Sequence, residues 1–271
     1  APQRVPAYAV QLLRGQVLTD LGEFDQAIAS LEQIELDALP DRAVASVRLL
    51  QALAYRGAGN FEASANAASA AASVSSPVKA AAMMALARAQ SLGGDNAAAL
   101  ETLGQTLAFD DASVNAEAAR LAGDLSYAQG DYDQATAFYT RVIERDQSSS
   151  EFAPAVVGRM WADLQAGRNV AVVSADQQFG ESLAPGPKAT AAYLVASAYQ
   201  AIGQHAPAAE RLTPITAGLA AGLPGDLAEE LRPLALYKLA VSQFELARYD
   251  DMAKTVDTLE KRFPGVPQQI D

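Results

Sequence analysis

The sequence contains few side chains of the types that carry out chemistry. Its single histidine is His205 and it has no cysteine, which excludes disulfides, thiolate chemistry and zinc sites built from cysteine and histidine. Asp131-Tyr-Asp133 resembles the opening of a calcium-binding loop. However, the glycine of the sixth loop position is missing, and Arg141 and Val142 stand near the place of the closing glutamate. The pattern therefore does not predict a calcium site.

The other candidates for an active or cofactor site are also incomplete. Gly57-Ala-Gly59 lacks the third glycine and the preceding strand that a dinucleotide-binding loop requires. Acidic pairs such as Asp250 and Asp251 are adjacent in sequence, so their carboxylates diverge around a helix and favour a solvated surface. The sequence therefore predicts no enzyme, no metal site and no cofactor.

The most informative feature is a small-residue turn that returns along the whole chain. It recurs about every 36 residues, with a longer last interval. A period of this length indicates a repeat architecture in which each repeat packs on its neighbours. The turn positions are Gly22, Gly59, Gly94, Gly130, Gly167, Gly203 and Ala247.

The fourth repeat shows the pattern most clearly. Gly130 can adopt the positive φ that ends a helix, and the aromatic ring of Tyr132 follows it. Ala135 is small where two helices are expected to cross, and Tyr139 and Val142 follow at helical spacing on one buried face. These positions predict a pair of antiparallel helices around the turn.

The repeats resemble the tetratricopeptide repeat, which consists of two antiparallel helices with small residues at their crossing. This resemblance implies an all-α fold, a right-handed superhelix (α-solenoid) of about seven helix-turn-helix repeats in a single array over residues 1–271. The fifth repeat departs most, with Val172 in place of a small residue and Asp176 on the buried face. The predicted repeats cover residues 8–40, 45–76, 80–110, 116–149, 153–184, 189–220 and 233–264.

Charge and hydropathy limit the kinds of partner. The net charge is −12 and the isoelectric point is about 4.5, which disfavours nucleic acid because phosphates are bound through Lys and Arg. No apolar run approaches the roughly 18 residues of a transmembrane helix. We therefore expect no transmembrane segment, and the sequence leaves the oligomeric state open.

In the tetratricopeptide repeat family, the first helices of the repeats line a concave groove. The resemblance therefore implies a protein or peptide partner in this groove, with aromatic anchors between repeats four and seven and two arginines for an acidic group. An alternative is that the superhelix buries many of these side chains. The predicted partner-binding residues are Arg88, Arg120, Tyr127, Trp161, Tyr193, Tyr237 and Phe244.

Two functional hypotheses follow from the resemblance. The closing stretch from Tyr237 to Pro264 is similar to repeats of bacterial envelope-assembly proteins, which favours a scaffold or adaptor in a cell-envelope assembly or secretion system. The absence of cysteine suits a periplasmic or otherwise exported protein, and because the chain opens on Ala1 we expect an N-terminal segment to have been removed. The alternative is a sensor or regulatory module cut from a larger cytoplasmic protein.

Overall fold

The computed structural model describes residues 7–109, 111–219 and 226–265. Within these residues the chain forms fourteen α-helices and no strand, which confirms the predicted all-α architecture of about seven helix pairs. None of the described helices is long and apolar enough to cross a membrane. Residues 110 and 220, which end the third and sixth predicted repeats, lie outside the described residues, as do 1–6 and 266–271 of the predicted array.

Each pair consists of a first helix, here called helix A, and a second, called helix B. The pairs are α1 (Ala7–Asp20) and α2 (Phe24–Glu32), α3 (Asp41–Gly57) and α4 (Phe61–Ala72), α5 (Lys79–Leu92) and α6 (Asn96–Thr106), α7 (Ala112–Ala128) and α8 (Tyr132–Arg145), α9 (Phe152–Gln165) and α10 (Asn169–Phe179), α11 (Pro185–Ala201) and α12 (His205–Thr216), and α13 (Arg232–Glu245) and α14 (Tyr249–Arg262).

The turn inside each pair depends on a residue in the left-handed region. The six turn glycines have φ values between 73° and 88°, and Ala247 has a φ of 56° in the last pair. In the fourth pair the Asp131 amide then donates a hydrogen bond of 3.0 Å to the Ser126 carbonyl across the turn. This is the bonding pattern that closes a helix at a left-handed residue.

The residue after the turn glycine starts helix B in three of the pairs. The side chains of Asn60, Asp95 and Asp131 each accept a hydrogen bond from the amide three residues later, at 3.0 to 3.1 Å. Such N-caps satisfy an amide that the helix itself leaves unbonded. In these three pairs the turn and the cap lie within a few residues of each other, so the local sequence determines where the hairpin folds.

The two helices of a pair cross at small residues. The residue five positions after the turn glycine is fully buried in the first six pairs: Ala27, Ser64, Ala99, Ala135, Val172 and Ala208. The Ser64 hydroxyl donates to the Ala52 carbonyl of the partner helix at 2.8 Å, so the helices approach closely. The fifth pair forms in the same way although Val172 is larger.

The chain folds into two compact units, Ala1–Leu125 and Ser126–Asp271. In the first unit successive helices pack in chain order, and Leu31 of α2 clusters with Val47 and Ala54 of α3. In the second unit α11 contacts both α9 and α13. The A helices of the second unit therefore lie side by side. The prediction of one continuous array stays a prediction.

Candidate protein-binding face

Three positions of each helix A come from one face of the helix. They lie ten, six and three residues before the turn residue, a spacing of four and then three residues that repeats along one side of an α-helix. In α9, α11 and α13 we call this surface the helix-A face. It carries Trp161, Tyr193, Tyr237 and Phe244 of the predicted partner-binding residues.

Trp161 and Tyr193 link α9 to α11. Their ring centroids lie 6.1 Å apart at an interplanar angle of 45°, which is within the range of favourable aromatic contacts. Trp161 is half-buried, whereas Tyr193 is only 5% exposed. Burial raises the pKa of the Tyr193 hydroxyl, which a hydrogen bond with Ser197 partly offsets. Tyr193 thus supports the face rather than presenting a ring to a partner.

Gln200 and Lys238 link α11 to α13. The Gln200 amide donates to the Lys238 carbonyl at 2.6 Å and to the Ser242 hydroxyl at 2.8 Å. The Lys238 ammonium lies 6.0 Å from the centre of the Tyr193 ring, at the limit of a cation–π contact. Burial lowers the pKa of the Lys238 side chain. These contacts keep α11 and α13 in a defined relative position.

Tyr237 and Phe244 are the exposed aromatic residues of the helix-A face. They are seven residues apart in α13, and their side chains are 41% and 55% exposed. Phe244 also contacts the exposed ring of Tyr249 edge to face, with centroids 6.0 Å apart. Two exposed aromatic rings on one side of a helix offer the kind of anchor that dominates protein-binding surfaces.

Tyr127 lies near the end of α7, in the same unit. Its ring packs on Tyr132 with centroids 5.5 Å apart. Burial raises the pKa of the Tyr127 hydroxyl, and a hydrogen bond with Gln165 lowers it again. Tyr127 therefore contacts both Tyr132 and Gln165, and it is half-buried.

The two predicted arginines belong to the first unit and are engaged within it. Arg88 forms an ion pair with Glu117, and Arg120 forms one with Asp124 one helical turn later. A ligand carboxylate would have to compete with these partners. That Arg88 and Arg120 belong to one groove together with the aromatic residues stays a prediction.

One cavity was not predicted from the sequence. A cleft of about 930 Å³ lies among α10, α11 and α12, and at its edge the buried Asp176 carboxylate pairs with Arg211 at 2.6 Å. A second ion pair in its lining joins Lys188 and Glu181 at 2.7 Å. The sequence did place Asp176 on a buried helix face, which hints at a buried charge. Its partner Arg211 lies in another helix pair, so the sequence alone could not identify the ion pair.

Comparison with solved structures shows the same fold in other proteins. The C-terminal part of a tetratricopeptide repeat-containing protein from Cytophaga hutchinsonii is 13% identical, with a TM-score of 0.67 over 94% of this chain and 96% of that chain. A signal transduction ATPase with numerous domains and a tetratricopeptide repeat sensor, from Pyrococcus horikoshii, is 13% identical, with a TM-score of 0.69. That match covers 96% of this chain and 42% of the ATPase.

A third similar structure is the apo form of RapI, 11% identical with a TM-score of 0.63 over 94% of this chain and 76% of that chain. Comparison with curated proteins gives no significant match. Family models described as "Tetratricopeptide repeat" match residues 8–35, residues 49–108 and 93–150, and residues 234–265. Together these matches cover more than half of the chain, and the repeat period and the turn geometry described above agree with this family. The chain belongs to the tetratricopeptide repeat family, whose members are protein-interaction modules.

Proposed function

We propose that this protein is a non-enzymatic scaffold that binds a peptide or protein segment on the helix-A face of its second unit. The observation that carries the proposal is the pair of exposed rings of Tyr237 and Phe244 on one side of α13. Exposed aromatic side chains on a helix that is held in place by its neighbours lose little conformational freedom on binding. Tyr237 and Phe244 are therefore the anchors, and Trp161 lies on the same face.

The partner is a segment with apolar side chains at helical or extended spacing and a net positive charge. Apolar groups at such spacing can meet two rings that are seven residues apart in a helix. The net charge of −12 favours basic partners, chiefly through the rate of association and hence in a salt-sensitive way. The same charge opposes binding of nucleic acid.

We place this scaffold in a bacterial cell-envelope assembly or secretion system, in the periplasm or otherwise exported. The similarity of residues Tyr237 to Pro264 to envelope-type repeats and the absence of cysteine support this proposal. The second candidate is a sensor or regulatory module of a larger cytoplasmic protein. It is supported by the fold match to an ATPase whose repeats are described as a sensor.

Trp161 provides a direct test, because it is the only tryptophan and lies on the helix-A face. Peptides selected on the protein from a random library would be titrated while the tryptophan emission is recorded. A ligand on this face changes the Trp161 emission in proportion to occupancy. A ligand that binds tightly without changing it binds elsewhere and contradicts the proposal.

Substitutions then identify the anchors. Tyr237→Ala and Phe244→Ala should each weaken binding of the selected peptide by about 2 kcal/mol, or about 30-fold, if they are hot spots. Val170→Ala is the matched control, since Val170 is a large exposed apolar residue of α10, a helix B of the same unit. Tyr193→Ala is unsuitable because Tyr193 is buried. Loss of binding with Val170→Ala but not with the α13 variants would overturn the proposal.

A further inference from the structure

The cleft among α10, α11 and α12 is separate from the helix-A face. Its volume is about 930 Å³, which falls in the range of about 300–1,000 Å³ that is usual for small-molecule sites. Its described lining residues include none of those that define the helix-A face. The cleft is therefore a second candidate site, and its size suits a small molecule.

Part of the lining of the cleft is apolar. Leu183 and Ala189 are almost fully buried, at 6% and 5% exposed, and Ala192, Pro214 and Ile215 also line the space. A ligand with an alkyl chain can cover these groups, and apolar surface of both is then removed from water.

Asp176 places a charge in the cleft where other B helices have apolar residues. It lies nine positions after the turn glycine, and the same position holds Leu31, Leu103 and Leu212, all fully buried. The Asp176 side chain is only 6% exposed and lies 2.6 Å from Arg211. An apolar side chain would pack here without the cost of burying a charge. The charged pair is therefore more than the packing of the helices requires.

Both cations in the lining are occupied within the chain. Arg211 has its buried partner, and Lys188 pairs with Glu181 at 2.7 Å. The lining contains two more carboxylates, Glu210 and Asp226, which form no ion pair with any residue that the structure describes. The free charges of the cleft are thus negative, and they favour a cationic ligand.

Pro214 adds an acceptor beside one of these carboxylates. It lies inside α12 and has no amide hydrogen. The Glu210 carbonyl, four residues earlier, therefore lacks the hydrogen bond that a helix would supply from position 214. Both residues line the cleft. Glu210 offers acceptors without a donor, which matches an ammonium group with its three donors.

Glu210 and Asp226 lie at different ends of the cleft. The Asp226 carbonyl is 3.7 Å from the place of a Cβ at Gly186, near the start of α11. Gly186 is seventeen residues before the turn at Gly203, whereas Glu210 is seven residues after it. In antiparallel helices this offset of ten residues corresponds to about 15 Å along the axes. One small cation cannot reach both carboxylates.

We propose that this cleft binds a linear aliphatic diamine or polyamine. One terminal ammonium binds the carboxylate and carbonyl of Glu210, and the other binds the carboxylate of Asp226. The alkyl chain between them lies along Ala189 and Ala192. A metal ion does not fit this arrangement, because the described residues hold no group of three side chains that could ligate one. The site goes beyond the scaffold function of the helix-A face and is independent of it.

Calorimetric titration of the full chain with diaminooctane, which has an amine at each end, tests the proposal. We expect a single site with a dissociation constant below about 1 mM, an ordinary affinity for a ligand of this size. Diaminobutane has the same charge but is too short for both carboxylates, and octanediol has the length without the charge. Each should bind at least about tenfold more weakly. No binding of diaminooctane, or equal binding of diaminobutane, overturns the proposal.

Substitutions locate the bound diamine. Glu210→Gln and Asp226→Asn should each weaken binding about three- to fivefold, the size expected for an exposed ion pair. Glu144→Gln is the matched control, since it removes an exposed carboxylate of α8 in the same unit, outside the cleft. Ala192→Phe fills the cleft and should lower the affinity at least about tenfold, and circular dichroism checks that the helices remain.

The control also separates a defined site from general attraction to an acidic protein. Glu144→Gln should bind diaminooctane like the unmodified chain. A loss with Glu144→Gln equal to the losses with the two cleft carboxylate variants would show general attraction and overturn the proposal. Normal binding by a folded Ala192→Phe variant would place the diamine elsewhere and overturn it as well.

Discussion

The Arg168 side chain lies 2.7 Å from the buried carboxylate of Asp163, with the guanidinium Nε as the donor. Arg168 is in the turn between α9 and α10. Its other nitrogens contact the start of α8, forming an ion pair with Asp133 and donating to the Thr136 hydroxyl at 2.8 Å. One cation therefore connects two successive helix pairs, and it neutralises a carboxylate whose side chain is only 2% exposed.

Removal of Arg168 should destabilise the fold. Arg168→Met leaves the Asp163 carboxylate without its main partner, and we expect a loss of about 2 to 3 kcal/mol in the free energy of unfolding. The expected loss is smaller than the roughly 3–5 kcal/mol typical of a buried pair that loses one partner, because Arg159 lies 3.5 Å from the same carboxylate. Arg168→Lys should recover only part, since an ammonium cannot reproduce the contacts of the planar guanidinium. Urea unfolding measures both.

The control for this experiment is Lys254→Met. Lys254 pairs with Asp251 at 3.4 Å, and both side chains are exposed. Its removal should change the free energy of unfolding by less than about 1 kcal/mol. An equal loss for Lys254→Met and Arg168→Met would contradict the assigned role of Arg168.

Enlarging Ala135 should disturb the helix crossing of the fourth pair. Ala135 is fully buried in α8, so Ala135→Leu should cost about 1–3 kcal/mol through overpacking. Ala137→Leu places the same side chain on the exposed side of α8 and should be nearly neutral. Amide hydrogen exchange should show faster exchange in α7 and α8, the two helices of this pair, for the first variant only. Unchanged protection in α8 would refute the crossing assignment.

Ala247→Gly should stabilise the protein. Ala247 holds a φ of 56° at a turn position where the other six pairs have glycine. The left-handed conformation costs an alanine roughly 1 kcal/mol, and glycine does not have this cost. The reciprocal variant Gly130→Ala should lose a similar amount, because a Cβ there meets no atom within 4 Å and only the backbone is strained. Melting temperatures measured by thermal unfolding should shift in opposite directions, and a shift of both in the same direction would rule out this explanation.

Replacement of two helical glycines by alanine should change the free energy of unfolding in opposite directions. A Cβ at Gly158 would lie 2.6 Å from the Tyr139 ring, so Gly158→Ala should destabilise the contact between α8 and α9. A Cβ at Gly104 in α6 meets nothing within 4 Å. Gly104→Ala should therefore raise the free energy of unfolding by about 0.5–1 kcal/mol, the usual gain in a helix interior. Chemical denaturation of the two variants side by side measures the difference in sign.

Asp176 should make stability depend on pH. Burial raises the pKa of its carboxyl, and Arg211 counteracts this only in part. A carboxyl pKa above the unfolded value means that the folded protein binds the proton more tightly. The cost of the charged group is therefore present at neutral pH and disappears as the pH falls below the unfolded pKa.

Asp176→Asn removes this cost, so the variant should have a higher free energy of unfolding than the unmodified protein at neutral pH. This difference should become smaller as the pH falls. Urea unfolding over a series of pH values would measure the difference between the two proteins. Asp251→Asn, at an exposed carboxylate, controls for the loss of one negative charge. A stability difference that is constant with pH would be inconsistent with the raised pKa of Asp176.

The repeat architecture could be predicted from the sequence because its determinants are local. A glycine with positive φ and a capping side chain such as Asp131 act within a few residues, so each hairpin is encoded in its own segment. The small crossing residues, including Ala135, recur at a fixed distance from the turn and are buried as expected. The repeat period and the residue types at fixed positions were sufficient to predict the family and the helix pairs.

The tertiary structure alone decided which predicted site residues face solvent. Tyr193 and Tyr237 hold the same register position, yet one is buried and the other is exposed, because burial depends on the neighbouring helix pair. The pairs Arg168 with Asp133 and Arg211 with Asp176 join separate repeats in the same way. Periodicity places side chains on a face of their own helix, but the contacts across that face come from residues some 35 positions away and depend on how the pairs stack.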